Sequence, residues 1–185
     1  MALVRGFKAY AKRLAAEVRE ELGLSPTAPL DHLSLAENLE IPVFPMSVYL
    51  AECPALCYFT DTGQQDFSAI TLFDDRWRMV IHNDTHDPCR QKSNIVHELA
   101  PALWQPPPAP PLNEHGARSY DSGIEGEANW LTGELLITEA AALHIVSAKL
   151  NAQRAADIYG VCSKMLTYRL GVTGAHKRVS RFKKR

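Results

Sequence analysis

Apolar residues at spacings of three and four open the chain. Phe7, Tyr10, Ala11, Leu14, Ala15, Val18 and Leu22 fall on one face, which predicts an amphipathic helix over residues 4–22. Gly23 closes it, and Pro26 and Pro29 mark the loop that follows. Asp31 has the chemistry of an N-cap, and a short helix is predicted over 31–39. Beyond Pro42 and Pro45 the pattern changes. The segments VFPMSVYL (43–50), LCYFT (56–60), FSAITLF (67–73) and WRMVIH (77–82) are rich in β-branched and aromatic residues. With turns at Asp61-Thr62-Gly63 and Asp74-Asp75, they predict a small, mostly antiparallel sheet of three or four strands.

Helical patterning returns near Gln91–Asn94 and stops at QPPPAPP, residues 105–111. Five prolines in seven residues exclude helix and central strand, so an extended loop is expected there. A helix is predicted from Gly123 to Leu136, and another over 137–150 after a break near Thr138. Residues Ala155–Leu170 read as a helical pair broken at Tyr159-Gly160-Val161, in the manner of a helix-turn-helix unit. The expected organisation is a main domain over 1–150, the helical extension over 151–172 and a basic tail over 173–185. The elements define an α+β chain.

Composition narrows the classes. The 185 residues are 46% hydrophobic and 22% charged, a balance that excludes a wholly disordered chain. No apolar run approaches the ~20 residues of a membrane span. Charged side chains from Arg5 to Glu20 interrupt the stretch where a secretory signal would need an apolar run. The expectation is a cytoplasmic protein in which Cys53, Cys57, Cys89 and Cys162 are reduced thiols. Cys53 and Cys57 lack a second pair to complete a structural metal site. Net charge is only −1, but its distribution is uneven. From Arg169 onward there are seven Lys or Arg and no acid, while Asn113–Glu139 carries six acids and one base. The basic end reads as a solvated terminus, with DNA as a minor alternative partner.

The chemistry concentrates in Ile95-Val96-His97-Glu98-Leu99-Ala100-Pro101. In a zinc-hydrolase helix of the form H-E-x-x-H, two histidines four apart share one face and one metal, and the glutamate activates the metal-bound water. His97 and Glu98 stand in their places; the second histidine position is Pro101. A further ligand comes from a second helix in such sites. Glu125 and Asn129, four apart in Glu125-Gly126-Glu127-Ala128-Asn129, are the candidates. Glu125 is placed to ligate, and Asn129 to hydrogen-bond a ligand histidine. Proline offers no lone pair to a metal, lacks the amide hydrogen of the helix ladder and crowds the carbonyl four residues back, which is that of His97. The helix is expected to kink or end near Leu99, and zinc binding to be weak or absent. His115, His82 and His86 are the histidines that could substitute.

These residues resemble the ImmA/IrrE family of zinc metallopeptidases. The resemblance runs through FSAITLF…RWRMVIHN, SNIVHELA, IEGEANWLTGELLI and YGVCSKMLTYRL. It implies a thermolysin-like (gluzincin) minimal peptidase fold, with a twisted sheet packed on the active-site helix and a helical C-terminal extension. It implies zinc held by His97 and Glu125, with Glu98 as general base. It also implies a helix-turn-helix repressor as the protein that is cut. The alternative is an inactive relative that binds a repressor-like partner without cleaving it, and Pro101 is the feature that favours it.

Overall fold

The computed structural model describes residues 3–74, 77–106 and 121–182. The first helix, α1 (Phe7–Glu21), starts later than its apolar pattern, because Gly6 adopts a left-handed φ of 92° at its N-cap. Phe7, Ala11, Ala15 and Val18 are its buried face, as the spacing requires. Helix α2 (His32–Asn38) is capped by Asp31, whose carboxylate accepts from the Ser34 amide at 2.9 Å.

Strand content is smaller than the aromatic and β-branched runs suggest. Strand β1 is only Val43–Pro45, and Met46–Tyr49 turns into 3₁₀ helix. Residues Pro54–Thr60, expected as a strand, are also 3₁₀ helix. Proline at the start of that segment supplies a helical φ and no ladder donor, which defeats the β-propensity of Tyr58 and Phe59. Strands β2 (Ala69–Asp74) and β3 (Trp77–His82) pair antiparallel in the expected places. β1 pairs with β3 in parallel, with Val43 opposite Val80. The sheet is therefore mixed, in the order β1-β3-β2, rather than mostly antiparallel. β2 lies at its edge.

Helix α3 (Pro88–Trp104) crosses this sheet and carries His97 and Glu98. It does not end near Leu99; Pro101 lies inside it. An interior proline costs about 3 kcal/mol. Burial of Ile95, Val96, Leu99 and Ala100 before it offsets that cost, as does packing of Leu103 and Trp104 after it. Trp104 meets Phe7 edge-on, with ring centroids 5.9 Å apart. The helix then ends with Gln105 in the left-handed region, its amide bonded to the Pro101 carbonyl at 3.0 Å. Most of the proline-rich loop, and His115 with it, lies outside the described residues.

Helix α4 (Ser122–Leu136) packs on both α3 and α1. Thr138 caps α5 (Glu139–Ser147), accounting for the expected break. Helices α6 (Ala152–Tyr159) and α7 (Ser163–Val172) form the expected pair, turning at Gly160 with φ 60°. The basic end is itself a helix, α8 (Ala175–Phe182), and Arg178 holds it to Glu139 at 2.7 Å. The fully buried Arg169 of α7 reaches Glu134 of α4 and donates to the Ile137 carbonyl at 2.9 Å.

The expectation of four reduced thiols fails. Cys89 and Cys162 form a disulfide across 73 residues of sequence, while Cys53 and Cys57 are free and exposed. The fold brings the first pair's Cα atoms to 5.2 Å, a juxtaposition that local spacing does not encode. No helix among the described residues is long and apolar enough to cross a membrane.

Candidate functional site

The site forms where α3 passes the start of β2 and the first turn of α4. Asp121 caps α4, accepting from the Gly123 and Ile124 amides at 2.7 and 3.2 Å, and fixes the helix start. This places Glu125 opposite α3. Its Oε2 lies 3.2 Å from His97 Nε2, and both side chains are about three-quarters buried, 24% and 23% exposed. The two candidate ligands, 28 apart in sequence, thus face each other directly. Glu127, on the other side of the helix, is buried.

Glu98 projects toward β2. Thr71 donates from Oγ1 to Glu98 Oε2 at 2.8 Å, and the same hydroxyl lies 3.3 Å from the Glu98 carbonyl oxygen. Thr71 was not singled out in the sequence. Its only signal is a polar residue at the centre of the apolar strand FSAITLF. Asn129 donates to the backbone carbonyl of Glu125 at 2.8 Å, so its amide steadies α4 beneath Glu125.

A cleft of about 280 Å³ opens beside this group, lined by Asp66, Ser68, Ala69, Asn94, His97 and Glu98. Its rim is braced by hydrogen bonds. Arg90 donates to Gln65 and Ser68, and the fully buried Asn83 donates to the Phe59 and Phe67 carbonyls at 2.9 and 3.2 Å. His86, also buried, contacts the Gln64 carbonyl oxygen through Nε2 at 2.8 Å, which ties it to the rim.

The donor set decides which ligands the site suits. His97 Nε2 and Glu125 Oε2 converge, and a third donor on the α3 face would come from position 101, one turn on. Pro101 has none to give. Among the described residues no group of three His, Cys, Asp or Glu is placed to hold a metal ion, His82 and His86 included. Among the described residues this set falls short of a catalytic zinc site, which takes three protein ligands and keeps one open position.

His82 gives the fold a pH dependence. It is buried at the end of β3, and its Nδ1 has no hydrogen-bond partner among the described residues. Burial pushes its pKa below the usual 6.5, against an opposing pull from Asp84. His32 is lowered too, again chiefly by burial. Both are neutral in the fold at neutral pH. As pH falls below 6.5 the unfolded chain takes up these protons before the folded chain does, so stability is lost. Urea midpoints should fall between pH 7.5 and 5.5, and His82→Gln should flatten that slope. An unchanged slope would remove His82 as its source.

A sheet-backed helix bearing His-Glu, faced by a glutamate from a second helix, is an arrangement compatible with a minimal metallopeptidase fold. The comparisons make this specific. The model of the IrrE N-terminal-like domain, Peptidase_M78, matches residues 52–171, and the chain belongs to that family. No curated protein and no solved structure matches it. The family is typically zinc-dependent, which makes the donor set of this member the point of interest.

Proposed function

We propose that this chain is an ImmA/IrrE-type, metallopeptidase-like protein that holds a segment of a helix-turn-helix repressor-like partner without cutting it. One observation carries this reading: Pro101 stands one turn after His97 in a continuous helix, so the metal face of α3 has one donor where hydrolysis needs two. β2 is an edge strand that offers backbone groups to an extended segment, and the cleft opens at its first residue, Ala69. A thermolysin-like placement of that segment, between the strand edge and α3, suits this arrangement.

The test uses the zinc-supplemented protein with helix-turn-helix repressors of its own organism, and labelled casein as a general peptidase substrate. The expected result is co-elution with a repressor and no fragments of either protein. Asn94→Trp, which fills the cleft, should weaken capture by about tenfold or more. Zinc-dependent fragments would overturn the reading.

A hydrolytic reading rests on a different observation. His97 and Glu98 both line the cleft, and Glu125 faces His97, so one further donor would complete a zinc site. His115, in the segment 107–120, has the right chemistry. Tight zinc binding lost in His115→Ala would favour it.

A further inference from the structure

The Cys89–Cys162 disulfide joins two helix N-termini. Cys89 is the second residue of α3, directly after Pro88, and Cys162 is the N-cap of α7. Neither helix has a side-chain cap, and neither has an acidic residue in its first turn. The N-terminus of α7 therefore presents backbone amides and a positive dipole end with no anionic side chain of its own, whereas α3 has Asp87 at its N-cap, its carboxylate not bonded to the helix amides. A cysteine thiolate at such a position is stabilised, which favours the reduced form of the pair. A bond that only braced the fold would gain nothing from this placement. Both cysteines are half-buried rather than sealed in the core.

The junction also has a non-covalent part. Lys92, one turn after Cys89, donates from Nζ to the Tyr159 carbonyl at 2.8 Å, at the C-terminal end of α6. A Cβ on Gly160 would lie 3.1 Å from that Nζ, so the left-handed glycine both makes the turn and admits the lysine.

We propose that Cys89–Cys162 is a thiol–disulfide exchange site whose reactant is a dithiol reductant, and that reduction loosens α6 and α7 from the helix that carries His97. A thiolate of the reductant attacks Sγ of Cys89, the Cys89–Cys162 bond breaks, and Cys162 leaves as a thiolate at the N-terminus of α7. The second thiol of the reductant then attacks the reductant's own sulfur in the mixed disulfide and expels Cys89. Two electrons pass from the dithiol, which becomes a disulfide, and its two protons are available to the two cysteines. This proposal does not rest on the function proposed for the cleft.

The test is made on the full chain purified without reductant. Alkylation in denaturant should label two cysteines, Cys53 and Cys57. After treatment of the folded protein with dithiothreitol it should label all four. Amide hydrogen exchange over residues 152–172 should then rise by about tenfold or more, with α1 and the sheet unchanged. Cys162→Ser should show the same fast exchange without dithiothreitol. If that variant does not fold, the oxidised and reduced forms of the unsubstituted protein still make the comparison. Four labels before reduction would overturn the proposal. So would a bond that dithiothreitol opens only in denaturant, or exchange that reduction does not alter.

Discussion

Pro101→His should raise zinc affinity by more than about 100-fold. Loss of a hydrogen-bond partner behind a metal ligand alone costs ~10–100-fold, and a missing direct ligand costs more. The geometry makes a single substitution sufficient. α3 already continues as helix through position 101, so the new imidazole falls on the face of His97. His97 and Glu125 already face each other at 3.2 Å. The variant should also be more stable, because an interior proline costs about 3 kcal/mol and histidine restores the amide donor toward the His97 carbonyl. Zinc titration against a competing chelator and thermal unfolding without metal read the two effects separately. A stability gain without an affinity gain would show that the remaining donors are not poised for metal.

Glu134→Ala should cost about 3–5 kcal/mol and lower the melting temperature by roughly 10 °C. Glu134 Oε2 pairs with Arg169, whose side chain is wholly buried, and Glu134 Oε1 accepts from the Glu139 amide at 3.1 Å. Removing the carboxylate leaves a guanidinium uncompensated in the core and takes an acceptor from the start of α5. The fit around Arg169 is tight: a Cβ on Gly133 would lie 2.8 Å from its Cδ. The pair fastens α7 to α4, the helix that carries Glu125. Glu134→Gln, which keeps a hydrogen-bond acceptor, should recover part of the loss. A cost below about 1 kcal/mol would mean that the pair is solvated in solution.

The candidate site's placement was legible in the sequence where chemistry and helical period coincide. His97 and Glu98 are adjacent on one helix, Glu125 sits in the first turn of another, and the structure brings His97 and Glu125 together. Asp31 as a cap, Thr138 as a break and Gly160 as a turn were legible for similar reasons, since each acts through its own few neighbours. The rest depended on contacts between distant segments. Helix α3 survives Pro101 because Leu99, Ala100, Leu103 and Trp104 pack on the core, and local propensity carries no record of that burial. Residues 54–60 have the composition of a strand, yet Pro54 starts them as 3₁₀ helix. The Cys89–Cys162 bond closes 73 residues of chain, and the hydroxyl of Thr71 finds Glu98 from another element. Neither pairing leaves a trace in spacing.

The central claim is that the donor set beside this cleft, among the described residues, is one short of a zinc site. Zinc stoichiometry and affinity of the purified protein, measured beside Glu125→Ala, test it directly. The account predicts weak binding in both, with little difference between them. Tight, stoichiometric zinc in the unsubstituted protein that is lost in Glu125→Ala would contradict it.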